Sequence, residues 1–139
     1  MNFTEKLIQA LRHPDPRIRR DAAWLLGKKG AKEAVPALLA ALAENRGDPY
    51  LLGTIAEALG QIGEPDALLP LAALLRRSYL PVRIKAARAL ARLGDPRTAA
   101  YLAEALDDPS PGVRRAAGSA LAKLETEKQG TVAGKLTGD

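Results

Sequence analysis

The chain has 139 residues, of which 27% are charged and 47% hydrophobic, with a formal net charge of +5. That is the size and balance of one folded domain rather than a disordered chain. It holds no Cys and a single His, which excludes a disulfide framework, a thiolate metal site and a thiol nucleophile. No stretch reaches the ~18 consecutive apolar residues of a membrane span. The start, Met1-Asn-Phe-Thr-Glu-Lys-Leu7, lacks the basic and apolar regions of a secretory signal, so a cytoplasmic location and no membrane partner are expected. Few thermolabile residues would also suit a thermophile. Aromatics are only 4%, and the apolar share is mostly Ala and Leu. A core of such small residues needs closely approaching helices.

In chain order, four units share one plan: helix A, a turn, helix B and a stop. Their closing positions, 30, 63, 94 and 125, lie 33, 31 and 31 residues apart, a period that signals a stacked helical array. The units span about 1–30, 31–63, 64–94 and 95–124. Helix A carries apolar pairs four apart, Leu7/Leu11, Leu38/Leu42, Leu71/Leu75 and Leu102/Leu106, which share one helical face. Helix B carries the expected buried rows Ile18/Leu51/Val82/Val113, Ala22/Ile55/Ala86/Ala117 and Leu26/Leu59/Leu90/Leu121. A small row, Ala23/Ala56/Ala87/Gly118, lets helices A and B pack closely.

The boundaries have mechanical signals. Asp15-Pro16, Asp48-Pro49 and Ser110-Pro111 pair an N-cap residue with Pro at the first helical position. The third unit has Ser78-Tyr-Leu-Pro81 instead. Gly30, Gly63 and Gly94 suit left-handed C-caps. Pro36 and Pro70 should shorten or kink helix A in units two and three. Unit two carries two extra residues around Glu44–Gly47, which marks it as the most distorted. After Leu124 the pattern stops, and residues 125–139 read as a flexible tail.

The phrase Val-Arg-x-x-Ala-Ala-x-Ala-Leu-x-x-Leu-Gly-Asp-Pro, with Ala34–Leu42 as helix A, resembles HEAT repeats. It is most similar to the short subclass named after phycobilisome bilin lyases, over residues 3 to 124. The resemblance implies an all-α, right-handed α-α superhelix of four helix pairs, with the B helices lining the concave side. HEAT repeats generally carry an Asp in the A-to-B turn and an Arg six residues later, forming a ladder along the stack. Here the Arg position holds Arg19, Leu52, Arg83 and Arg114, and the Asp position holds His13, Arg46, Arg77 and Asp108. Only unit four keeps both, so the ladder is expected to be mostly absent.

Catalytic constellations are missing from the sequence. His13 has no second His or Cys to share a metal and reads as an exposed turn residue. Gly130-Thr-Val-Ala-Gly134-Lys135 has too few residues between its glycines for a phosphate-binding loop, and Leu136 follows the Lys. Asp107-Asp108 and Glu125/Glu127 read as solvated charge. No cofactor and no metal site are expected.

The outward face of helix B is the candidate site. Its central row is Trp24, Glu57, Arg88 and Ser119, and one turn on come Lys28, Gln61, Arg92 and Lys123. Arg20, Lys85 and Arg115 lie one turn back, and Arg17 and Tyr50 near the first two helix starts. The four B helices (15–29, 48–62, 81–93, 110–124) hold 12 Lys and Arg against 4 Asp and Glu, a net +8 in a chain of +5. Such concentrated positive charge draws acidic partners. The opposing reading is that these are ordinary solvated helix faces.

Three functions follow. One is a non-catalytic scaffold binding an acidic or amphipathic segment of a protein, with Trp24 as an apolar anchor. The second is nucleic-acid backbone binding in the same groove, which the pI of 9.7 permits. The third rests on resemblance alone: a bilin lyase subunit or phycobiliprotein chaperone. Self-association through the stack ends is open.

Overall fold

The computed structural model describes residues 1–137, with side chains through Lys128. Its helices are α1 (Phe3–Ala10), α2 (Pro16–Lys29), α3 (Val35–Glu44), α4 (Pro49–Ile62), α5 (Leu68–Arg77), α6 (Leu80–Leu93), α7 (Thr98–Glu104) and α8 (Pro111–Thr137). No strand occurs among the described residues. Odd-numbered helices form layer A and even-numbered helices layer B, one pair per unit.

The helix ends follow from their cap residues. Asp15 Oδ1 accepts from the Arg17 N–H at 2.9 Å, and Asp48 Oδ1 from the Leu51 N–H at 3.1 Å. Each thereby satisfies one donor that a helix start leaves orphaned. The α6 start has Tyr79 and no side-chain cap, as its missing Asp-Pro or Ser-Pro signature implies. Gly30, Gly63 and Gly94 have φ of 64°, 79° and 64°, and no other described residue has positive φ. Helices α3 and α5 are each entered through a single 3₁₀ turn, Lys32–Ala34 and Pro65–Ala67. Pro36 and Pro70 then fall in the first turn of the α-helix, where no intrahelical bond is lost. Both helices have 10 residues against 14 in α4 and α6. The α1 start, a capping box between Asn2 and Glu5, is a signal the sequence reading did not single out.

Most expected core columns are buried. Leu26, Leu59 and Leu90 are sealed, as are Leu51, Val82 and Val113. Three members depart from their columns, Leu121 being only partly buried. Ile18 is 37% exposed, on the side of α2 where the described residues supply no neighbouring B helix. Leu106 is 43% exposed while Ala105 is buried. There α7 tightens into a 3₁₀ turn over Ala105–Asp107, and three residues per turn rotate Leu106 off the face that 3.6 would give it.

The B helices pack side by side far more extensively than the A helices do. Small residues permit this. A Cβ added at Gly27 would stand 2.7 Å from Ala58 Cα, and one at Gly60 2.9 Å from Ala89 Cα. The segment 125–137, read as a flexible tail, continues α8 in backbone conformation. No Pro follows Leu124, and Glu125, Glu127 and Lys128 are good helix formers. Residues 138–139 of that tail lie outside the described residues.

The turn edge keeps more of the Arg ladder than expected. Arg19 Nη1 donates to the His13 and Pro14 carbonyls at 2.7 and 3.1 Å. Arg114 Nη1 does the same with Asp108 and Pro109 at 2.8 and 3.1 Å, and Arg83 Nη1 binds the Ser78 carbonyl at 2.9 Å. Each Arg thus closes its own turn. One rung crosses between units: Arg83 Nε to Asp108 Oδ2 at 3.2 Å. His13 stands where Asp108 does and partly replaces it. Its Nδ1 accepts from the Asp15 N–H at 2.9 Å, as Asp108 Oδ1 accepts from Ser110 N–H at 2.9 Å. Arg19 Nε, the atom that would make the next rung, is buried with no partner.

Candidate functional site

Successive B helices present their outward rows to one face. Trp24 is 51% and Tyr50 73% exposed, and each ring lies beneath a cation. Lys28 Nζ is 5.4 Å from the Trp24 ring centroid, and the Arg20 guanidinium carbon 5.3 Å from that of Tyr50, both within cation–π range. Arg17 pairs with Asp15 at 3.2 Å. That hydrogen bond, with the Arg17 backbone N–H, holds the Asp15 carboxyl below its ordinary range. The N-terminal end of the face is therefore aromatic, with its cations engaged.

The middle is neutral. Lys85 Nζ meets Glu57 Oε1 at 3.0 Å across α4 and α6. Its stem crosses Gly53, where an added Cβ would lie 2.9 Å from Lys85 Cδ.

The C-terminal end differs. Arg88, Arg92, Arg115 and Lys123 border an open groove of about 630 Å³ between α6 and α8, with Ile84 and Ser119. None of the four cations makes an ion pair among the described residues. The groove has an apolar floor of Ala91, Ala116 and Ala120. Neighbouring B helices thus bring together subsets of the expected site residues, Arg20 with Tyr50, Glu57 with Lys85, and Arg88 and Arg92 with Arg115 and Lys123. Among the described residues no group of three or more His, Cys, Asp or Glu could hold a metal, and no helix is long and apolar enough to cross a membrane.

The sequence profile of HEAT repeats matches residues 4–81 and 79–136. The chain is a HEAT-repeat protein. Its four pairs form the right-handed α-α superhelix of that family, with the short repeat resembling that of phycobilisome lyases. It is 34% identical to the phycocyanobilin lyase subunit alpha of Picosynechococcus sp., over 62% of this chain and 36% of that protein. It is 33% identical to the uncharacterized phycocyanin operon protein Z of Pseudanabaena tenuis, over 62% of this chain and 42% of that one. Among solved structures it resembles human deoxyhypusine hydroxylase in complex with glycerol, at TM-score 0.78 and 30% identity, covering 91% of this chain and 44% of the hydroxylase. It also resembles the complex of CpcE and CpcF of phycocyanin lyase from Nostoc sp. PCC7120, at TM-score 0.64 and 26% identity, covering 98% and 69%. This HEAT-repeat chain spans less than half the length of the curated relatives it matches.

One surface lay outside the sequence-predicted site. Between units two and three, on the layer-A side, a second open groove of about 690 Å³ is lined by Leu39, Leu42, Leu52 and Leu74, with Arg46 and Arg77. Its signal was present in the ladder columns, where Leu52 replaces an Arg and Arg46 and Arg77 replace Asp.

Proposed function

We propose that the chain is a non-catalytic scaffold that holds an acidic segment of a partner protein on its helix-B face. The observation that carries this reading is the groove bordered by Arg88, Arg92, Arg115 and Lys123, whose charges no described carboxylate neutralises. Closer packing within layer B than within layer A supports a stack curved toward that face. Trp24 and Tyr50 add exposed aromatic area at the other end, the residue type that anchors binding hot spots. Units 1–124 constitute the binding domain in this reading.

The test is fluorescence anisotropy with a labelled glutamate-rich peptide. Charge reversal at Arg88 and Arg115 should weaken binding ~10-fold or more, since each removes an attraction and adds a repulsion. Unchanged affinity in that double variant would remove the reading. A labelled DNA duplex titrated at two salt concentrations separates the nucleic-acid alternative, which requires tight duplex binding that falls steeply with salt.

A second reading is a subunit of a bilin lyase. Its support is the 34% identity to a phycocyanobilin lyase subunit and the likeness to a two-chain lyase complex. In that reading the partner on the B face is a second HEAT chain. Co-purification with a lyase-like chain, together with phycocyanobilin lyase activity of the pair, is the expected result. The absence of both would dismiss it.

A further inference from the structure

The groove between α3 and α5 is lined from both helices. Leu39, Leu42 and Ala43 line it from α3 and Pro70, Ala73, Leu74 and Arg77 from α5, with Arg46 in the turn just beyond the α3 C-terminus. Two neighbouring stripes therefore face one furrow, each apolar along its length and each closed by an Arg at the same end. Leu52 of α4 supplies the floor, buried to 3% exposure, and Tyr79 the rim, at 48%.

The next joint along the stack displays the complementary pattern. There the matching stripe of unit four is Tyr101, Glu104, Ala105 and Asp108. Glu104 binds Arg76 at 3.0 Å, and Asp108 binds Arg83 at 3.2 Å. At the position of Arg46 and Arg77 unit four thus carries a carboxylate, Asp108, and a second carboxylate, Glu104, stands one turn earlier. Between units two and three Arg46 and Arg77 make no ion pair among the described residues. Arg77 also borders the acidic rim of a smaller cavity, with Asp107, yet it pairs with none of these carboxylates.

We infer that this furrow is a second docking site, which takes an amphipathic helix from a partner protein. The apolar stripe of that helix would lie on Leu39, Leu42 and Leu74, and carboxylates at its end would meet Arg46 and Arg77. In helix-in-groove recognition the bound helix supplies apolar anchors at i, i+3, i+4 and i+7. An open furrow wraps a small ligand poorly, since ligand pockets enclose most of the ligand surface, whereas two parallel stripes of two helical turns match a third helix. The site is independent of the B-face reading and lies on the opposite layer.

The test uses a fluorescein-labelled amphipathic peptide with leucines on one helical face and glutamates at one end. It is titrated into wild type, Arg46→Glu/Arg77→Glu and Arg88→Glu/Arg115→Glu. All four arginines are exposed, and unchanged circular dichroism checks folding. The expected result is ~10-fold or greater weakening in the Arg46/Arg77 variant, with affinity kept in the Arg88/Arg115 variant. Leu74→Asp should also abolish binding. Absence of wild-type binding would overturn the inference, as would binding unaffected at Arg46 and Arg77. So would saturation by decanoate alone, or a concentration-dependent dimer lost in the Arg46/Arg77 variant, since these name a different occupant.

Discussion

Arg19 and Arg83 occupy the same position in their units and close their turns alike, yet only Arg83 finds a carboxylate. The Arg83–Asp108 pair is shielded, with side chains 20% and 10% exposed, so its charge-assisted bonds keep more of their strength than surface pairs do. Arg83→Ala should therefore cost ~1 kcal/mol more than Arg19→Ala, measured as the difference in urea unfolding free energy. Equal costs would mean that the turn carbonyls carry the whole effect. Asp15 gives a pH signature at the same scale. Its folded carboxyl titrates below the ordinary value because of Arg17. Its contribution is thus complete at neutral pH and is lost as pH falls through the lowered value. Asp15→Asn should lose less Tm than wild type on acidification below about pH 4.

Helices in this stack are set apart by what small residues allow. Gly60→Ala places a methyl 2.9 Å from the Ala89 backbone, and overpacking of that kind costs ~1–3 kcal/mol. At Gly118 the nearest atom to an added Cβ is Leu106 Cδ2 at 3.9 Å, so Gly118→Ala should stabilise by ~0.5–1 kcal/mol through helix propensity. Thermal melts of the two variants should move in opposite directions. Element types were legible in the sequence because caps, stops and columns recur at fixed offsets. Leu106 was not, because a helix that tightens into a 3₁₀ turn changes its period within one turn. Ile18 was not, because column reasoning assumes a neighbouring unit on both sides and the described residues supply one side only.

Across the whole molecule, the Lys and Arg of the B helices outnumber their Asp and Glu by 12 to 4, an excess the sequence alone reveals. Which cations stay unpaired was beyond its reach. The Glu57–Lys85 bond joins residues 28 apart, the Arg83–Asp108 rung residues 25 apart. Such pairs depend on the offset between stacked units, which no single repeat encodes. That offset neutralises the centre of the face and leaves Arg88, Arg92, Arg115 and Lys123 of α6 and α8 unpaired among the described residues, where the proposed acidic segment would bind. Long-range attraction of this kind is screened by salt, so the affinity of the B face for acidic peptide should fall as ionic strength rises.

Amide chemical-shift mapping during titration of the glutamate-rich peptide tests this account most directly. The largest shifts should cluster at Arg88, Arg92, Arg115, Ser119 and Lys123, on α6 and α8. Saturable binding with shifts confined to layer A, or none near these residues, would contradict it.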